Sequence, residues 1–236
     1  MTVIDFERID VVSFDCYGTL IDWESGILEA LAPFRAHGGV RATDDELLEH
    51  YARLESVLQS GDHVSYKEVL RGVARGFARR FSIPEAHFDA EALAASLPRW
   101  RPFHDTVESL ARLKQRYRLA IISNTDDDLF AQTALSLEVP FDFVITAEQV
   151  GAYKPSTKNF TYALDKVGVA KERWLHVAQS RFHDVAPARS LGLATVWVNR
   201  RSGKPGHGAT TASDATPDLE VPNLKTLADA AEAKSR

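Results

Sequence analysis

Ile9-Asp10-Val11-Val12-Ser13-Phe14-Asp15-Cys16-Tyr17-Gly18-Thr19-Leu20-Ile21-Asp22 runs from an apolar, β-branched segment into an acid and then a glycine turn. Such a run predicts a buried strand. In open α/β sheets ligands bind just beyond the carboxyl ends of strands, so Asp15 stands where chemistry usually happens. On its own, a strand-end aspartate serves equally well to cap a helix or close a turn. Three later stretches bear on that choice.

Outward from this strand, the chain first turns helical. Trp23 to His37 carries Ile27, Leu28, Leu31 and Phe34 at helical spacing and is expected to stop at Gly38-Gly39. Thr43-Asp44-Asp45-Glu46 has the form of a capping box leading into Leu47 to Gln59. Ser65 to Phe81 is amphipathic, and Ala90 to Leu97 is a short helix ending at Pro98. No strand signal falls between Asp22 and Pro98.

The pattern then alternates. Predicted helices at His104 to Arg116, Asp127 to Leu137, Ser156 to Val167 and Val185 to Leu191 interleave with predicted strands. Those strands are Leu119 to Asn124, Phe141 to Ile145, Trp174 to Ala178 and Thr195 to Asn199. Alternation of this kind implies a parallel sheet with right-handed crossovers. Ser202 to Pro217, rich in Gly, Thr, Ser and Pro, reads as a mobile loop, and Asn223 to Ala233 as a closing helix. The expected fold is therefore α/β: a doubly wound, Rossmann-like parallel-sheet core (1–22 and 99–236) carrying an inserted all-helical cap (23–98).

A chain of 236 residues can bury an ample core, and a net charge of -5 gives no electrostatic reason to expect nucleic-acid binding. No apolar run approaches the ~20 residues needed to span a bilayer. Met1 to Arg8 is mixed and charged, so no secretory leader is expected. The single cysteine, Cys16, cannot pair within the chain and fits a reducing, cytoplasmic setting. It is either a second nucleophile candidate or a small buried filler, and the latter is expected because no His follows in its turn.

Four strand ends bring polar residues to one edge of the sheet: Asp15 with Thr19, Ser123-Asn124, Lys154, and Gln179 to Asp184. Each has a bland alternative. Ser123 and Asn124 can cap a helix, Lys154 can be a solvated surface lysine, and Asp184 can be a cap or a surface acid. Together they offer a nucleophilic acid, hydroxyl and amide donors, and a cation.

Four pieces of the chain resemble the haloacid dehalogenase superfamily. They are Phe14-Asp15-Cys16-Tyr17-Gly18-Thr19-Leu20, Ile122-Ser123-Asn124, Tyr153-Lys154-Pro155, and His176 to Asp184 with the trailing Ala188-Arg189-Ser190-Leu191-Gly192. The resemblance implies that Asp15 attacks substrate to form an ester that water then opens. Most members are phosphatases with a second Asp two residues after the nucleophile, and Tyr17 stands there instead. An ordinary tyrosine, with pKa near ~10, is a poor acid for an alkoxide leaving group, whereas a halide needs no proton. Phosphatases also commonly bind Mg²⁺ with a pair of acids in the last motif, where this chain has Gln179-Ser180-Arg181-Phe182-His183-Asp184.

The pattern is similar to the metal-independent 2-haloacid dehalogenase branch, with no cofactor and a small carboxylate substrate. Under that resemblance Lys154 holds Asp15 anionic, and Thr19, Ser123 and Asn124 orient carboxylates. Asp184 anchors Lys154 or steers water, with Tyr17 and Ser180 at the substrate. Some positions depart from the family. His50 falls where a cap arginine for halide is expected, and Phe160 stands where a tyrosine follows the lysine. Arg181 is expected to supply the missing cation and His183 to donate a hydrogen bond or activate water, the alternative being that both face solvent or pack under the cap. The alternatives are a Mg-dependent phosphatase, a hydrolase opening a ring beside a carboxylate, or a binding protein without turnover. A homodimer is implied by the resemblance alone.

Overall fold

In the computed structural model, which describes residues 4–38, 40–84 and 87–233, Val11–Phe14 forms β1 in the middle of the sheet. All four of its residues are buried, as a strand covered on both faces requires. The other strands are β2 (Arg118–Ser123), β3 (Phe143–Thr146), β4 (Trp174–Ala178), β5 (Ala194–Val198) and β6 (Leu219–Val221). Among the described residues they lie in the order β3-β2-β1-β4-β5-β6, and every pairing is parallel. Chain order reverses at β1, which opens a crevice beyond the carboxyl ends of β1 and β4. Register sets Phe14 beside both Ile121 and Val177, so the residues following these strands emerge together.

Between β1 and β2 stand α1 (Trp23–Gly38), α2 (Asp44–Gln59), α3 (Tyr66–Arg80), α4 (Ala92–Ser96) and α5 (Thr106–Lys114). Then follow α6 (Asp127–Leu137), α7 (Ala147–Val150), α8 (Lys158–Val167), α9 (Ala186–Ser190) and α10 (Leu224–Ala233). Helices α1 to α4 form an insert with no strand among its described residues. The Thr43 capping box is present, with the Thr43 side chain accepting from the Glu46 N–H and the Glu46 carboxylate accepting from Thr43. Asp126, at the end of the loop after β2, accepts from the N–H groups of Tyr66 (2.7 Å) and Lys67 (3.0 Å). A carboxylate from the sheet edge thus caps α3 where four N–H groups lack helical partners. Tyr153 donates its hydroxyl to the Val64 carbonyl (2.8 Å), and Arg201 pairs with Glu24 (2.6 Å) and Asp45 (2.7 Å). These contacts seat the insert over the crevice.

Several local expectations shift. The edge strand β6 was hidden because three residues after a polar loop carry too little pattern to register. The predicted helix at Val185 starts earlier, as a single π-helical turn over Arg181–Val185 that runs into α9. Ser202 to Pro217 holds no helix or strand, yet it is not a free loop. Ala209 is buried, its N–H donates to Glu24 Oε1 (3.1 Å), and Thr210 donates to Ser180 (3.1 Å). The expected stop at Gly39 and residues 1–3 of the leading segment lie outside the described residues. No helix among the described residues is long and apolar enough to cross a membrane.

Gly26 on α1 makes the insert's seating testable. A Cβ there would lie 2.3 Å from the Trp100 ring. Trp100 is buried and its indole N–H is held by Ser96 Oγ (3.0 Å), so the ring has no easy retreat. Overpacking of ~1–3 kcal/mol outweighs the ~1 kcal/mol that alanine gains over glycine within a helix. Gly26→Ala is expected to destabilise the fold by about 1 kcal/mol net, read by circular dichroism as a lower urea midpoint.

Candidate active site

Asp15 is the first residue beyond β1, and its N–H donates to the Val177 carbonyl (3.1 Å), which continues the strand pairing by one step. Gly18 then turns the chain at φ +92°, where a Cβ would also meet the Trp23 indole nitrogen at 2.8 Å. That turn returns Thr19 beneath the acid: its Oγ1 donates to Asp15 Oδ2 (2.8 Å) and accepts from the Gln179 N–H (2.8 Å). Arg200, just after β5, braces the turn from behind. It donates to the Thr19 carbonyl (2.9 and 3.2 Å) while paired with Asp105 (2.7 Å).

Lys154 is 1% exposed, far from the solvated lysine of the bland reading. Its ammonium donates to Asp15 Oδ1 (2.9 Å), Asp184 Oδ1 (2.6 Å) and the Ile122 carbonyl (2.7 Å), which uses all three protons. Asn124 fixes its main chain. The Asn124 carbonyl oxygen accepts from the Lys154 N–H (2.7 Å), and its amide donates to the Lys154 carbonyl (3.0 Å) and to Gln59 Oε1 (3.2 Å).

A second buried chain leads to the same lysine. The Trp174 indole donates to Ser13 Oγ (2.7 Å), so the Ser13 proton is left for His176 Nδ1 (2.8 Å). His176 therefore carries its proton on Nε2, which faces Asp184 Oδ1 (3.0 Å). Phe160 stands edge-on against the His176 ring, with centroids 4.9 Å apart.

The charge balance follows from burial. Desolvation lifts Asp15 above the ordinary carboxylate range; Lys154 and Thr19 pull against it, and Asp184 adds to the rise. Burial also pushes Asp184 up, but Lys154 and His176 outweigh that and hold it low. Lys154 is lowered by burial and raised more strongly by its two carboxylates, so it stays cationic. The result is one fixed cation between two acids, of which Asp15 is the more basic and so the better nucleophile. Burial drives the Cys16 thiol well up, with Asp15 adding to the effect, so Cys16 is a filler and not a second nucleophile.

A cavity of about 30 Å³ lies against Asp15, between the sheet edge and the insert. A family model for haloacid dehalogenase-like hydrolases matches residues 9–192. The chain is a haloacid dehalogenase-like hydrolase. This hydrolase is 27% identical over 228 residues to an (S)-2-haloacid dehalogenase of Pseudomonas putida, covering 94% of this chain and 96% of that one. It is 28% identical over 235 residues to the 5-amino-6-(5-phospho-D-ribitylamino)uracil phosphatase YigB of Escherichia coli (93% and 95% covered). In fold it is similar to the L-2-haloacid dehalogenase of Xanthobacter autotrophicus with chloropropionic acid covalently bound. That comparison gives a TM-score of 0.76 at 22% identity, covering 95% and 98% of the two chains.

In the hydrolase, Asp15, Tyr17, Ser123, Asn124, Lys154, Ser180, His183 and Asp184 line the cavity, with Thr19 behind Asp15. Their individual roles differ. The Ser123 hydroxyl is buried with no hydrogen-bond partner among the described residues and is free to meet a ligand. Asn124 spends its amide on Lys154 and Gln59 and acts as a positioning residue, not the substrate contact expected. The Tyr17 hydroxyl bonds to Thr133 (2.9 Å), and burial pushes it well up, so it supplies no proton. Burial brings His183 down to about 4, so it is neutral at neutral pH. Ser180 accepts from the His183 N–H (2.9 Å) and Thr210 and turns its own proton to His183 Nδ1 (3.1 Å), leaving His183 Nε2 protonated.

Two expected residues are not at the cavity. His50 lies in a separate pocket with Arg53 and Arg80, packed on Phe77 and Phe81. At ~100° per residue it is turned about 140° from Glu55, which with Gln59 brings α2 to the cavity. Arg181 leads out of the site and lies over the Trp197 ring, 4.7 Å from its centroid. The residues that sequence reasoning missed are Trp23, Glu55, Gln59 and Tyr66. The usable signal was the i, i+4, i+8 series Tyr51, Glu55 and Gln59, which lies on one face of α2.

Proposed function

We propose that this hydrolase displaces halide from a short 2-haloalkanoic acid through an ester on Asp15, giving a 2-hydroxy acid without a metal. The observation that carries the reading is the seating of Lys154. One ammonium bridges Asp15 and Asp184, which favours the ionised nucleophile against its burial and aims it without calling on a divalent ion. The carboxylate attacks the α-carbon, the C–O bond forms, and the halide leaves with the bonding pair. Water then opens the ester. Ser123 donates to the substrate carboxylate, Thr19 holds the second Asp15 oxygen, and the closed insert keeps bulk water away.

Magnesium is what most of the family's phosphatases would use, and the donors fit it poorly. Mg²⁺ wants a near-octahedral oxygen set. After β4 the chain offers one acid, Asp184, whose Oδ1 already accepts from Lys154 and His176 and whose Oδ2 alone is left without a partner among the described residues. No group of three His, Cys, Asp or Glu side chains among the described residues is placed to share an ion. The tyrosine two residues after Asp15 also leaves an alkoxide without its acid.

The similarity to YigB makes the phosphatase the reading to beat. Halide release from (S)- and (R)-2-chloropropionate and phosphate release from p-nitrophenyl phosphate are compared with added Mg²⁺ and with EDTA. Halide release at equal rates in both conditions is expected, with no phosphate released. Mg²⁺-dependent phosphate release without dehalogenation would reject the proposal.

A further inference from the structure

The insert brings to the cavity one acid that the reaction above leaves idle. Glu55 is 4% exposed. Its Oε1 accepts from the hydroxyls of Tyr66 (2.7 Å) and Tyr51 (3.2 Å), which lie 3.1 Å from each other. Its Oε2 has no hydrogen-bond partner among the described residues, and Glu55 lines the cavity opposite the sheet edge that carries Asp15. Tyr66 is in turn pinned to the core through Asp126, so the position of Glu55 is set by the junction of insert and sheet.

The charges around this space constrain what it can admit. Two acids, Asp15 and Asp184, flank Lys154, the only lysine or arginine among the described lining residues. All three Lys154 protons are already committed, and His183 is neutral. A 2-haloalkanoate brings one more negative charge. An ionised Glu55 facing it would repel it strongly, because like charges interact far more in a buried site than in water. A neutral Glu55 offers an O–H instead. In-line displacement sends the halide away from Asp15, towards the insert.

We propose that Glu55 works as a neutral carboxylic acid whose O–H donates to the departing halide, so that the cavity accepts its anionic substrate only while Glu55 keeps its proton. The inference rests on the dehalogenase reading for the identity of the anion. The proton stays on Glu55 throughout; the halide takes only the electrons of the broken carbon–halogen bond. The groups that face Glu55 are Tyr51 on its own helix, Tyr66 on α3, Asp15 after β1 and Tyr153 before α8. Burial raises Glu55 to about 7; the two tyrosine hydroxyls pull it down and Asp15 pushes it up. The three phenols are all shifted upward by burial, so none of them titrates beside it.

The test follows halide release from 2-bromopropionate between about pH 5 and about pH 9 in wild type, Glu55→Gln and Tyr66→Phe. Wild-type kcat/KM is expected to fall about tenfold per pH unit above neutrality, while Glu55→Gln stays level there. Tyr66→Phe removes a hydrogen bond that favours the ionised form, so its descending limb moves to higher pH. Binding of lactate, followed by the intrinsic fluorescence of the four tryptophans, needs no turnover. Wild type should lose affinity over the same alkaline range, and Glu55→Gln should not. If no 2-haloacid is turned over but lactate binding shows this difference, the dehalogenase reading fails and the protonation requirement stands. Parallel wild-type and Glu55→Gln profiles in both assays overturn it.

Discussion

Replacing Asp15 with asparagine is expected to abolish halide release, with a loss on the order of 10⁴-fold or more in kcat. The amide nitrogen is a poor nucleophile, and nothing nearby can replace the carboxylate. Cys16 is held as a buried thiol and Asp184 is engaged by Lys154 and His176. The fold should survive, because the asparagine carbonyl can still accept from Lys154 and the site loses no volume. A single turnover with excess enzyme in heavy-oxygen water locates the ester directly. Water attacks the Asp15 carbonyl carbon, so the label enters the Asp15 side chain and the product takes its oxygen from the old carboxylate. Label found only in the product of the first turnover would mean that water attacks the substrate itself, and the covalent route would be lost.

Lys154→Met is the second large effect, and it should strike activity and stability together. The side chain fills much of the same space, but it leaves Asp15 and Asp184 buried without their shared cation. Breaking a buried pair from one side costs about 3–5 kcal/mol. Part of that cost is relieved when a carboxyl takes up a proton, so the deficit depends on pH. Without the lysine both acids shift upward in the folded state relative to the unfolded chain. Such groups favour the fold while protonated and lose that contribution as pH rises through the folded pKa. The deficit in urea should therefore be smallest in acid and grow towards alkaline pH. A deficit independent of pH would mean that the lysine matters through packing alone.

The core and its acid were legible because a βα unit writes its chemistry at a predictable place. Asp15, Ser123, Lys154 and Asp184 each follow an apolar run, and a parallel sheet brings such ends together whatever the intervening sequence. The insert was legible as helices and illegible as a wall of the site. Glu55 sits in Asp44–Gln59 among Asp44, Asp45, Glu46 and Glu49, where one buried acid cannot be told from solvated ones by composition. His50 was chosen by position and not by helical phase, and phase is what turns it away. Arg181 was misplaced for a similar reason, because the π-helical turn redirects side chains after β4 in a way that ordinary helical spacing does not foresee. The brace from Arg200 to the Thr19 carbonyl joins residues 181 positions apart and left no local trace.

Against Asp15 a water can centre itself over only about 30 Å³. On the proposed reading, a haloacid, larger than a water, would find more room there if helices α1 to α4 lifted off the strands. Polar ties across that seam include the Asp126 collar on α3, the Tyr153 hydroxyl on Val64, the Asn124 amide on Gln59 and the Arg201 forks, beside the apolar packing of Trp100 against α1. Loosening of those fasteners would then be a step of the cycle in which neither the halogen nor the nucleophile takes part.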